Sequence, residues 1–193
     1  MKKKIRITFN SPVVLCFVMI CFLATLLNYL TGGKSNQVVF MTYHSSLFSP
    51  LTYVRLFTHV FGHEGWQHFI GNMAYILLLG PMLEEKHGAL KMIEVIVVTA
   101  FVTGVVNYVF FWNTALCGAS GVVFAFILMS SFTSFREGEI PITFILVAVI
   151  YLGQQIYEGI VLQDNISNMA HILGGVVGGI LGFSLNKKLK YGI

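Results

Sequence analysis

The sequence predicts an all-α fold, a polytopic membrane protein built as one bundle of six membrane-spanning helices, on three observations. Hydrophobic residues make up 56% of the 193 residues and charged ones 10%, where soluble domains carry about 25% charged; the mean hydropathy is +0.79. Six apolar stretches of bilayer-crossing length, roughly 20 residues, fill nearly the whole chain. The basic residues lie at the ends of those stretches, and on alternating ends.

The first stretch, Pro12 to Thr31, follows Lys2-Lys3-Lys4-Ile5-Arg6. Its apolar core is longer than that of a signal peptide, so it is expected to be a retained helix. The others run from Trp66 to Leu83, Ile93 to Trp112, Gly118 to Phe135, Ile140 to Tyr157 and Asn168 to Leu185. Backbone amides have no partner in lipid except each other, so each stretch is expected to be helical. Placing both termini inside puts Lys2, Lys3, Lys4, Arg6, Lys86, Lys91, Arg136, Lys187, Lys188 and Lys190 on the cytoplasmic side. Of the 12 basic residues only Lys34 and Arg55 then lie outside, the orientation that the positive-inside tendency favours. The resulting organisation is a short cytoplasmic N-terminus (1–11), a single membrane domain (12–186) with an external loop at 32–65, and a cytoplasmic tail (187–193).

Three function classes are disfavoured. The net charge of +4 does not indicate nucleic acid, because the cations flank apolar runs instead of lining one face. Cys16, Cys21 and Cys117 are odd in number and make no disulfide framework. A zinc site is not expected either: His59 and His63 have helical spacing but no glutamate follows the first, and His63 and His68 are five apart. Those two loop histidines are read as anchors for the loop, and no metal or cofactor is expected. The loop itself, with Tyr43, His44, Phe48, Tyr53, Phe57 and Phe61, has the aromatic content of an interfacial segment, expected as an amphipathic hairpin.

In the both-ends-inside topology the second, fourth and sixth stretches all run inward, so their early residues share one level just below the external face. His68 and Asn72, Ser120, and His171 are those early residues. A serine becomes a nucleophile when a base lies within hydrogen-bond reach, so Ser120 and His171 form a candidate pair; the other reading is a small residue that packs one helix and an imidazole that bonds a carbonyl. His68 and Asn72, spaced i, i+4, project from one face. They read either as donors to a developing oxyanion, with the Ser120 N–H as a third, or as interhelical glue worth about 1 kcal/mol or less per bond. Glu64, Glu158 and Asp164 lie in or beside external connectors, so a third, acidic partner for the imidazole is not expected. Gly174/Gly178 and Gly175/Gly179 repeat a small-xxx-small pattern, and Gly174 and Gly178, which share the general face of His171, would let the sixth helix approach the fourth.

These motifs resemble the rhomboid family of intramembrane serine proteases over nearly the whole six-helix core. Gly118-Ala119-Ser120-Gly121 matches the family's Gly-x-Ser-Gly; His68 and Asn72 match its His and Asn four apart, preceded by His59 and His63. Gly80, Glu84 and Gly88 match Gly-x-x-x-Glu-x-x-x-Gly, and Ala170 to Gly178 matches Ala-His-x-x-Gly-x-x-x-Gly. The resemblance implies that Ser120 and His171 are catalytic, that His68, Asn72 and the Ser120 N–H stabilise the oxyanion, and that Gly118, Gly121, Phe124 and His63 support them. It also implies cleavage of membrane-protein substrates whose transmembrane segments are easily unwound. The expected location is a bacterial inner or plasma membrane, multi-pass, with the lipid bilayer as surroundings. One position departs: bacterial relatives often carry tyrosine four residues after the nucleophile, and here it is Phe124, whose ring stacks but donates no hydrogen bond. The alternatives are a non-catalytic rhomboid-like protein that binds transmembrane clients and a small transporter.

Overall fold

The computed structural model describes residues 9–132 and 165–191, with positions 142, 145, 146, 149, 150 and 153 between them. Most of the fifth apolar stretch, Ile140 to Tyr157, and most of the connector that follows it therefore lie outside the described residues, as do residues 1–8 and 192–193. The described chain is helical, with no strand among the described residues. Its helices are α1 (Pro12–Leu30), α2 (Pro50–Thr58), α3 (Trp66–His87), α4 (Ala89–Phe110), α5 (Ser120–Phe132) and α6 (Asn165–Tyr191). By length and composition α1 and α4 are long and apolar enough to cross a membrane; α5 and α6 carry shorter apolar segments, Ser120–Ser131 and Ala170–Ser184.

The surface is more apolar than water would tolerate over so large an area. Leu23, Leu27 and Leu30 of α1, Leu78 of α3, and Phe101 and Phe110 of α4 are all exposed. The interior instead collects polar side chains: Thr25 and Asn28, Asn72 and Glu84, and Thr99, Thr103 and Asn107 are buried beside a core of Val14, Phe17, Ile76, Leu83, Met92, Val95, Val122, Phe126 and Met129. A soluble bundle has the opposite distribution.

Helix α1 starts at Pro12, a residue suited to the first turn because it has no N–H to leave unpaired. Ser11 supplies no side-chain cap. The cap comes from α3: the buried Glu84 carboxylate accepts the Val13 and Val14 amides at 3.0 Å each. A carboxylate at a helix N-terminus also meets the positive end of the helix dipole. One turn earlier, a Cβ at Gly80 would stand 2.7 Å from Val14 Cγ2 and 3.3 Å from Phe126 Cε2, so glycine lets α1, α3 and α5 meet there.

The connector between α1 and α3 is not a hairpin. It comprises a π-helical turn (Asn36–Phe40), α2 and a 3-10 turn (His59–Phe61). Helix α2 turns Thr52 and Arg55 inward and Tyr53, Val54 and Phe57 outward. Burying Arg55 is tolerable because its Nε donates to the Val38 carbonyl at 2.9 Å and its guanidinium lies 4.5 Å over the Tyr43 ring. Farther on, His59 and His63 are almost fully buried. His59 Nε2 donates to the Ala100 carbonyl of α4 at 3.0 Å, and the His63 carbonyl accepts the side-chain amides of Asn36 (3.0 Å) and Asn28 (3.4 Å). The histidines thus anchor the loop, as their sequence context leads one to expect.

Candidate active site

Two groups of side chains flank the start of α5, and Ser120 is its first residue. On one side, the segment 111–119 is held against the connector. Thr42 and Leu116 exchange both amide hydrogen bonds at 2.9 Å, and the Gly118 N–H donates to the His59 carbonyl at 2.9 Å. This tether carries the backbone into α5 through Gly118 at φ +133°, a conformation that a residue with a Cβ adopts only under strain. Space dictates glycine as well: a Cβ there would lie 2.8 Å from His68 Cε1, 2.9 Å from His68 Nε2 and 3.9 Å from Asn72 Nδ2. His68 and Asn72, one turn apart on α3, therefore both face the turn that leads into Ser120.

Asn72 Nδ2 is buried with no hydrogen-bond partner among the described residues. A buried amide without an acceptor costs about 1–3 kcal/mol, so this donor stands ready for an oxygen that arrives from elsewhere. The helix offers more of the same kind, since first-turn N–H groups have no intrahelical acceptor. Of the amides here, Gly118 is committed to His59 and Val123 to Ala119. Behind His68, the His63 ring packs edge-on with centroids 5.1 Å apart. The His63 Nδ1–H donates to the Phe61 carbonyl at 3.2 Å, and burial, with the neighbouring His68 adding, lowers its pKa to about 4. His63 is accordingly a neutral wall for His68.

On the other side, α5 and α6 cross at almost backbone contact. A Cβ at Gly174 would lie 2.1 Å from the Gly121 oxygen, one at Gly178 2.2 Å from the Ala125 oxygen, and one at Gly121 3.5 Å from the Ala170 oxygen. Ala170 and Gly174 bracket His171 on α6, and Gly121 follows Ser120 on α5. The Phe124 ring, one turn beyond Ser120, packs against the His171 imidazole with centroids 4.4 Å apart and planes tilted by 46°. Ser120 and His171 are both half-buried.

The structure thus gathers His63, His68, Asn72 and Gly118 into one group and Gly121, Phe124 and His171 into another, with Ser120 between them along the chain. One feature escaped the sequence: the positive φ of Gly118 has no local signal. Cys117 is no rival nucleophile: burial first, and Glu64 second, push its thiol up to about 12. Among the described residues no three His, Cys, Asp or Glu side chains converge as a metal-binding group.

A model of the Rhomboid domain matches residues 50–188. Rhomboid-related protein 2 of Mus musculus is 27% identical over 195 residues, covering 90% of this chain and 64% of that protein. Rhomboid protease GlpG of Haemophilus influenzae is 27% identical over 188 residues, covering 94% of each. Rhomboid protease GlpG of Yersinia pestis is 25% identical over 184 residues, covering 90% of this chain and 62% of its own length. The chain thus spans just under two thirds of the mouse and Yersinia proteins and nearly all of the Haemophilus one.

Proposed function

The chain belongs to the rhomboid family, and we propose that it is an intramembrane serine endopeptidase that cleaves transmembrane segments of other membrane proteins. In this reading the bundle spans the membrane six times, in a cell membrane and with both termini cytoplasmic. Ser120 Oγ attacks the scissile carbonyl while His171 takes its proton, and His171 then gives that proton to the leaving amine. Water, deprotonated by the same imidazole, releases the acyl group and restores the serine. The oxyanion accepts from the Ser120 N–H, Asn72 Nδ2 and His68. Phe124 packs against the imidazole, Gly121 and Gly174 let its helix approach, and Gly118 makes room for His68. No cofactor enters any step.

The observation that carries this reading is the orphaned, buried Asn72 amide beside Gly118. An amide that bonds nothing among the described residues and lies 3.9 Å from a Cβ position at Gly118 is available to donate to an oxyanion beside Ser120. The substrate peptide must leave its helix before its carbonyl is accessible, which favours segments containing glycine or other weak helix formers.

The test is turnover of a single-pass substrate in liposomes by the intact chain and by Ser120→Ala, together with labelling by a fluorophosphonate. The proposal expects cleavage and labelling by the first and neither by the second. Cleavage that survives Ser120→Ala would overturn it, and client binding unaffected by Ser120→Ala, without turnover by either form, would favour the non-catalytic alternative.

A further inference from the structure

We propose that the groove between α1 and α4 binds one acyl chain of a membrane phospholipid, in the half of the bundle away from Ser120. The inference goes beyond the protease reading and shares with it only the membrane-spanning bundle.

Helix α1 turns Cys16, Phe17 and Ile20 toward Ile93, Ile96 and Val97 of α4, residues three and four apart that form one face on each helix. The two faces bound a cavity of about 380 Å³, within the range of small-ligand sites, about 300–1,000 Å³. Phe17 and Ile96 are buried at its floor, while Cys16, Ile20, Ile93 and Val97 are exposed along its rim. Phe61 of the 3-10 turn also lines it, with its ring 5.4 Å from that of Phe17. The starts of α1 and α4 both lie at the Glu84 end of α3, whereas Gly118 meets the His68 end.

Size and polarity select the occupant. Between Pro12 and Ile20, the outermost lining residues of α1, the helix rises about 12 Å, close to one leaflet's share of a hydrocarbon core about 30 Å thick. A helix about 10 Å across displaces about 900 Å³ over that length, more than twice the cavity, so a substrate or partner helix would touch the rim and leave the floor empty. An extended peptide is narrower, but no polar side chain lines the cavity to pair its amides, and unpaired amides are prohibitive in lipid. Water finds no hydrogen-bond partner there for the same reason. An acyl chain needs none, and it restores the dispersion contacts that an empty cavity forfeits. Recognition then lies in the chain and not in the head group: at this end Glu84 already takes the Val13 and Val14 amides, and Glu94 pairs with Lys91. A filled groove also supports the connector beneath the candidate site, because the Phe61 carbonyl accepts the His63 Nδ1–H behind His68.

The test places the intact chain in phosphatidylcholine liposomes doped with a phosphatidylcholine that carries a photoreactive diazirine in one acyl chain, and maps the adducts by peptide mass spectrometry. Lipid that merely surrounds the bundle reaches exposed positions such as Leu23 and Leu78; only a chain inside the groove reaches Phe17 and Ile96. Adducts on Phe17 or Ile96 are expected. Val97→Phe, which adds bulk from the exposed rim, should reduce them on the order of ten-fold, and Leu23→Phe, outside the groove, should leave them unchanged. Ile93→Phe fills the same rim and gives the reading if Val97→Phe does not fold. Adducts confined to exposed positions overturn the proposal, as do floor adducts unchanged by filling the rim, or efficient Cys16-to-Cys16 cross-linking between chains, which would put a second copy in the groove. Ser120→Ala should give the same adducts as the intact chain, so failure of the lipid site leaves Ser120-dependent cleavage standing, and absence of cleavage leaves the lipid site standing.

Discussion

Gly174→Ala tests the idea that base and nucleophile are brought together by a near-contact of backbones. The added methyl would lie 2.1 Å from the Gly121 oxygen, 2.7 Å from its carbonyl carbon and 2.8 Å from its Cα. All three atoms are backbone of α5, so no rotamer change relieves the clash. Restoring ordinary contact, at least 3.4 Å, from 2.1 Å moves the helices apart by about 1.3 Å. His171 lies one turn before Gly174 and Ser120 one residue before Gly121, so that displacement falls on the proposed pair and on the 4.4 Å ring contact of Phe124 with His171. Overpacking costs about 1–3 kcal/mol of stability, while a shift of about 1 Å at the reacting centre costs on the order of 100-fold in rate. The expected result is a folded but destabilised protein whose fluorophosphonate labelling slows on the order of 100-fold. Gly71→Ala is the control, because a methyl there meets nothing within 4 Å; in a helix interior it should be neutral or stabilising by about 1 kcal/mol. If Gly174→Ala unfolds at the parental denaturant concentration and labels within about three-fold of the parental rate, the crossing does not position the imidazole.

Removing the Glu84 carboxylate (Glu84→Ala) leaves the Val13 and Val14 amides without acceptors and should destabilise the protein by about 1–2 kcal/mol, with faster hydrogen exchange confined to the first turn of α1; uniform exchange would count against the capping role. Burial lowers the pKa of both His59 and His63 to about 4 from 6.5. The unfolded chain then takes up protons before the folded one, so stability is flat above about pH 6.5, falls towards pH 4 and gains no further dependence from these groups below it. Thermal midpoints at pH 7.5, 6 and 5 check this, and His59→Gln, which keeps a donor for Ala100, should reduce the slope. Gly118→Ala combines backbone strain at φ +133° with a contact of 2.8 Å to His68 and should slow turnover by at least about ten-fold while sparing most of the fold; unchanged kcat would separate His68 from the reaction.

Much of this was legible in the chain. Helices expected from Trp66 and from Pro12 begin at those residues, because Gly65 and Ser11-Pro12 are local stop and start signals that need no tertiary information. The i, i+4 spacing of His68 and Asn72 put both on one face, and the Gly174/Gly178 pattern located the helix contact that the two backbone approaches display. The connector was harder. Its aromatic content pointed to an interfacial hairpin, whereas its shape follows from long-range bonds: Arg55 to Val38, His59 to Ala100, and the carbonyl of His63 to Asn28 and Asn36. Partners from α1 and α4 cannot be read from the loop's own composition. The same holds for Glu84, whose acceptors' partners lie 70 and 71 residues away.

The two flanks of Ser120 are held by different physics, and this bears on how each should fail. The donor flank is hydrogen-bonded into the connector, through Thr42 with Leu116, His59 with Gly118, and Asn28 and Asn36 with His63. Directional bonds in a low-dielectric interior fix orientation before any substrate arrives, which is what a donor set needs if it is not to reorganise as charge develops. On the base flank glycine and alanine backbones pack closely and the tilted Phe124 ring meets His171, contacts that fix distance but tolerate rotation and sliding. Losses on the donor flank should therefore fall on the chemical step with little change in dynamics. Losses on the base flank should instead widen the range of His171 positions, because the separation of α5 and α6 at Gly121 and Gly174 sets how closely the imidazole approaches Ser120.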